Sequence, residues 1–147
     1  MSIAERVVQT TWTGSLTAGS GEFGQSSSGV LDGQGVTWGS RTVRPDGKTS
    51  PEELLAAAHS SCFAMALNVV LGELSVEPEQ VRVRSTVVFA EVDGAPTITT
   101  SQIQVRARLS GLDDAAFQAA VDKASALCPV SRLFAGAEIT VDAALEG

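Results

Sequence analysis

Two cysteines, Cys62 and Cys128, are the residues of this chain best equipped for chemistry. They stand 66 positions apart, too far for the closely spaced ligands of a zinc knuckle or for a vicinal redox pair. Cys62 falls inside TSPEELLAAAHSSCFAMALNVVLGEL, and Cys128 falls in ALCPVS. A thiol on a rigid helix with a distant partner suits a nucleophile and a second sulfur that captures its oxidised form. One structural disulfide, or one inert buried thiol beside an unrelated one, fits the same two residues. The first residues, MSIAERVVQTTW, mix an acidic and a basic side chain and lack an apolar centre, so they are not read as a secretion signal. A reducing, cytoplasmic setting is therefore expected, where structural disulfides are rare.

The segment around Cys62 carries the marks of a helix. Ser50 is placed to cap it, Pro51 occupies the first helical position, and Glu53 completes a capping box. Glu52 and Glu53 lie at the positive end of the helix dipole. Leu54, Leu55, Ala58, Cys62, Met65, Ala66, Val69 and Val70 recur at helical spacing, while Phe63, Leu67 and Leu71 fall off that stripe. A helix apolar most of the way round is expected to be buried on more than one side. His59, the single histidine, lies one turn before Cys62, where it could serve as its base or simply pack.

The remaining elements follow from alternation and turns. Residues 5–13 read as a strand, and 14–28 as turns around a short strand. Residues 29–31 and 35–43 read as two further short strands. Arg44-Pro45-Asp46-Gly47 has turn chemistry. Residues 81–89 and 98–109 form the arms of a hairpin around Asp93-Gly94-Ala95-Pro96. A second helix opens at Asp113 with Phe117, Ala120, Val121, Ala124 and Cys128 on one face; Pro129 interrupts it, and 137–145 make a last strand. At 147 residues, residues 1–147 are read as a single domain of the α+β class with antiparallel sheet. One sheet cannot cover the first helix all round, so a homodimer is expected.

PEELLAAAHSSCFAMAL, followed at a distance by CPVS, resembles the OsmC/Ohr family of thiol peroxidases, and within it the OsmC branch. The resemblance covers nearly the whole chain. It implies antiparallel sheets wrapped around long central helices in an intertwined homodimer. It also implies a hydroperoxide reductase of oxidative or osmotic stress, in which Cys62 matches the peroxidatic cysteine and Cys128 the resolving one. Regeneration by an external dithiol or lipoylated protein, without a bound cofactor, is implied as well. The family's site arginine matches Arg41, with Arg44 the competing choice, and its carboxylate matches Glu52. Glu52 and Cys62 are ten positions apart on one helix, about 15 Å of rise. An arginine held by Glu52 is thus expected to serve the Cys62 of the other subunit.

Composition narrows the alternatives. Seventeen acidic against ten basic residues give a formal charge of −7, which argues against a nucleic-acid partner. No run of about 18 apolar residues is evident, so no membrane crossing is expected. One histidine and two cysteines do not complete a tetrahedral zinc site, and no metal, haem or flavin is expected. Phe63, Met65, Leu133, Phe134 and Trp38 are candidates to line a pocket for an alkyl or aryl hydroperoxide. Two rival functions remain: a cysteine hydrolase or acyltransferase using Cys62 with His59, and a non-catalytic stress protein of the same fold.

Overall fold

The computed structural model describes residues 1–147, and the chain divides into two compact units, Met1–Leu54 and Leu55–Gly147.

The first unit is built on a three-stranded antiparallel sheet of β1 (Gln9–Thr13), β2 (Ser20–Gly24) and β3 (Gly35–Val36). Gly21 is required where it stands: a Cβ there would come within 2.8 Å of the Val36 side chain and 2.9 Å of the Trp12 ring. Residues 29–31 form a turn, and β3 stops after two residues because a short helix, α1 (Trp38–Thr42), replaces the strand expected to run to Val43. The reason is a capping box of unusual composition. The Thr37 hydroxyl accepts the Ser40 amide and the Ser40 hydroxyl accepts the Thr37 amide, each at 2.9 Å. Serine in place of glutamate hides the pattern. The Ser40 hydroxyl also donates to the Thr49 carbonyl at 2.9 Å, which ties α1 to the segment leading into α2 (Pro51–Glu73). The Ser50 hydroxyl accepts the Glu53 amide at 3.1 Å, so the helix starts where its residues dictate.

The second unit holds most of α2, the hairpin β4 (Gln80–Val92) and β5 (Ala95–Arg108), helices α3 (Asp114–Leu127) and α4 (Pro129–Leu133), and β6 (Glu138–Leu145). Asp93 and Gly94, at φ 51° and 78°, make the two-residue hairpin turn; Ala95 and Pro96 already belong to β5. The hairpin is antiparallel as expected, but β6 runs parallel to β5. The crossover through α3 brings the chain back in the same direction, so this sheet is mixed. On β5 the residues Ser101, Ile103, Val105 and Ala107 face inward. They meet Phe63, Leu67 and Leu71 of α2 and Phe117, Val121 and Ala124 of α3 in one core.

The buried side of α2 cuts across the stripe read from the sequence, taking Ala66 and Val70 from it together with residues that lie off it. Phe63, Leu67 and Leu71 are fully buried, whereas Met65 and Val69 are 69% and 58% exposed. Both sides of the helix are apolar, so periodicity cannot choose between them. Length and composition also make α2 apolar enough to cross a membrane, with a mean hydropathy of 1.8 over its most apolar window. The expectation that no such segment exists is corrected. Serines, His59 and Asn68 break the apolar run without adding charge, so counting consecutive residues overlooks it.

Candidate active site

Cys128 owes its position to the proline after it. Pro129 cannot extend α3 and restricts the preceding residue to extended backbone; Cys128 adopts φ −61°, ψ 115° and serves both as the last cap of α3 and the first of α4. Its side chain is fully buried. Cys62, half-buried on α2, lies across from it with the two Sγ atoms 3.3 Å apart, and both cysteines are reduced.

The two thiols share an unequal environment. Burial pushes the Cys62 thiol up, against the Val130 amide, and the neighbouring Cys128 pushes it up further. Burial acts in the same direction on Cys128, but the Ser131 hydroxyl and amide, the Cys62 thiol and the Val130 amide outweigh it and draw that thiol down. Within one chain, negative charge on the pair is therefore favoured at Cys128.

His59 is fully buried one turn from Cys62, yet its ring nitrogens are committed elsewhere. Nδ1 lies 2.6 Å from the Ser101 hydroxyl and Nε2 lies 2.8 Å from the Ser131 hydroxyl. The Phe134 ring packs edge-on against it at 5.1 Å. Burial holds the His59 pKa below its ordinary value, so the ring is neutral at pH 7. This geometry does not favour His59 as the base of Cys62. Ser101 and Ser131 escaped the sequence reading. A serine in register with the inward Ile103, Val105 and Ala107 of β5 was the legible signal for the first; the second lay unused in CPVS.

In the first unit, Arg41 and Glu52 form a bidentate ion pair. Arg41 Nε donates to Glu52 Oε1 and Oε2 at 3.0 and 3.2 Å, and Nη2 donates to Oε1 at 2.7 Å. The carboxylate is only 11% exposed. Arg44, the competing residue, points to solvent and pairs with Asp46 at 3.3 Å. Glu52 thus selects Arg41. The candidate pocket residues scatter: Phe63 is core, Met65 and Leu133 are exposed, Phe134 packs on His59, and Trp38 lies in α1.

An α+β fold that brings two distant, reduced cysteines into contact defines a dithiol protein, with a buried histidine–serine network behind one sulfur. The chain belongs to the OsmC family: the family model for OsmC-like protein matches residues 44–143. It is similar to Peroxiredoxin OsmC of Escherichia coli (strain K12), at 37% identity over 134 residues that span 91% of this chain and 92% of that one. It is also similar to the Organic hydroperoxide resistance protein of Xanthomonas axonopodis pv. citri (strain 306), at 33% over 89 residues, 60% of this chain and 61% of the other. Among solved structures, the Organic Hydroperoxide Resistance Protein OhrB of Bacillus subtilis superposes with a TM-score of 0.73 at 26% identity, covering 99% of this chain and all of that one.

Proposed function

We propose that this protein is a thiol peroxidase that reduces organic hydroperoxides, and hydrogen peroxide as well, in defence against oxidative or osmotic stress. The observation that carries the reading is the contact between Cys62 and Cys128 across 66 residues of sequence. A disulfide of about 2.05 Å requires the sulfurs to close by little more than an ångström. The names of its relatives, a peroxiredoxin and an organic hydroperoxide resistance protein, support the same chemistry.

In the proposed cycle the Cys62 thiolate attacks the peroxide O–O bond. The distal oxygen stays on sulfur as sulfenic acid and the other leaves as alkoxide, taking a proton to become alcohol. Cys128 then condenses with the sulfenate, and an external dithiol of lipoyl type reduces the disulfide. No bound metal, haem or flavin takes part. Arg41, its plane fixed by Glu52, binds the peroxide oxygens and stabilises charge on the leaving one. Glu52 stands ten helical positions from Cys62, so the Arg41–Glu52 pair of one subunit serves the Cys62 of its mate in a homodimer.

Consumption of cumene hydroperoxide in the presence of dihydrolipoamide tests this. Wild type turns over, Cys62→Ser is inactive, and Cys128→Ser stalls as sulfenate or over-oxidises. Full activity in Cys62→Ser would reject the reading. Turnover of an ester or thioester by wild type and by Cys128→Ser, with peroxide only inactivating both, would favour the hydrolase instead.

A further inference from the structure

A buried chain of hydroxyls and one imidazole leads to the second cysteine and is not used by the cycle above. It begins at Ser85 on β4, half-buried, whose hydroxyl lies 3.1 Å from that of Ser101 on β5. It continues from Ser101 to His59 Nδ1 at 2.6 Å and from Nε2 to the Ser131 hydroxyl at 2.8 Å. Ser131 sits three residues after Cys128, at the start of α4, and Cys128 touches Cys62. His59, Ser101 and Ser131 are each more than nine-tenths buried, so no bulk water competes for these bonds.

We propose that His59 and Ser131 are positioning residues for the resolving step, in which they orient a hydroxyl donor onto Cys128 and carry its proton away through a neutral relay. The proposal rests on the reading of Cys62 as peroxidatic and Cys128 as resolving.

The chemistry follows from the ring. A neutral imidazole has one N–H and one lone pair, so it donates at one nitrogen and accepts at the other. With both nitrogens on hydroxyls, the tautomer fixes the direction of every bond in the chain. With hydrogen on Nε2, His59 donates to Ser131, and the Ser131 hydroxyl is released to donate to the Cys128 thiolate. With hydrogen on Nδ1, the donors point away from the sulfur toward Ser101 and Ser85. A switch from the second arrangement to the first takes the proton of the Cys128 thiol into the chain and passes one on toward Ser101 and Ser85; the reverse returns it. The ring bears no net charge in either arrangement, which suits a site where burial disfavours imidazolium. The donors that draw Cys128 down include the Ser131 hydroxyl at the end of this chain.

The condensation balances without an outside reagent. The Cys128 sulfur forms the S–S bond as the S–O bond of the Cys62 sulfenic acid breaks. The oxygen leaves as hydroxide and takes up one proton from solvent, matching the one that Cys128 released into the relay, so the net products are one disulfide and one water. Peroxide is consumed before this step, at Cys62, and does not involve the relay.

The test separates the two steps in the full-length protein. Reduced wild type, Ser131→Ala, Ser131→Thr and His59→Asn each receive one equivalent of cumene hydroperoxide. Rapid quenching and mass spectrometry then follow loss of the Cys62 thiol and appearance of the disulfide. The expected result for Ser131→Ala is oxidation of Cys62 within about threefold of wild type and condensation slowed about tenfold to a hundredfold, the effect of losing one hydrogen bond to a charged group. Dimedone-trapped sulfenate accumulates in this variant, and excess peroxide converts Cys62 to sulfinate. Ser131→Thr keeps the hydroxyl and restores most of the condensation rate. His59→Asn slows condensation in the same way. Unchanged condensation in Ser131→Ala, equal slowing of both steps, or no rescue by threonine would overturn the proposal. Failure of wild-type Cys62 to react with hydroperoxide at all would remove the peroxidase reading, and this one with it.

Discussion

Ionisation alone cannot make Cys62 a fast peroxidase. A cysteine of pKa about 8.5 is roughly 3% thiolate at pH 7, and lowering the pKa to about 6 gains only ~30-fold. Nucleophilicity falls with basicity, by about tenfold over that span if thiol exchange is a guide, leaving a gain of a few-fold. In the proposed cycle the arginine therefore acts mainly on the peroxide oxygens. Its bidentate grip by Glu52 gives it a fixed plane that a lysine ammonium cannot reproduce. Arg41→Lys should lose on the order of a hundredfold or more in kcat/KM although the charge remains, as expected for one preorganised donor. The residual activity of Arg41→Gln should also show a pH–rate profile moved to higher pH, because burial of Cys62 is then opposed only by the Val130 amide. Steady-state kinetics from pH 6 to 10 checks both. At this scale the sequence disclosed the two cysteines, Arg41 and Glu52 as candidates. It could not disclose that His59 turns away from Cys62, because that depends on Ser101 from a distant strand and Ser131 from α4.

Elements were legible where local chemistry set them. Ser50 and Pro51 start α2, Asp113 starts α3, and Asp93-Gly94 turns the hairpin. Legibility failed in two places. Helix α1 was hidden because its capping box uses Ser40 in place of an acidic residue and its interior contains Gly39, a poor helix former. Which residues of α2 meet the core was not legible, because an all-round apolar helix has no internal signal for the side that is buried first. Thr37 illustrates what such an element contributes. Thr37→Ala should cost about 1 kcal/mol of stability, the usual loss at a helix cap. It should also depress kcat/KM further than that loss explains, since α1 is what orients Arg41. Urea denaturation paired with hydroperoxide kinetics measures the two effects separately.

For the molecule as a whole, Met65 and Val69 are exposed on a helix whose other side is already core, and in the proposed homodimer they are the residues a second copy would cover. Met65→Glu should convert a dimer to a monomer in sedimentation velocity and remove peroxidase activity, while the core around Leu67 stays folded. A shared site makes a sharper demand. Cys62→Ser, inactive, and Arg41→Gln, nearly so, should recover roughly a quarter of wild-type activity when unfolded and refolded together, because in the proposed dimer half the molecules are mixed and each carries one intact site. No recovery would reject a site shared between subunits. The parallel return of β6 was not legible in the sequence, since strand direction depends on where α3 docks and not on the strand's own residues.

The central claim is that Cys62 and Cys128 act as one redox couple. Reduced protein treated with a single equivalent of cumene hydroperoxide, alkylated, digested and mapped by mass spectrometry tests it most directly. The expected product has lost two hydrogens and contains a peptide pair joined through Cys62 and Cys128. Oxygen retained on Cys62 with Cys128 recovered as an alkylated thiol would contradict it.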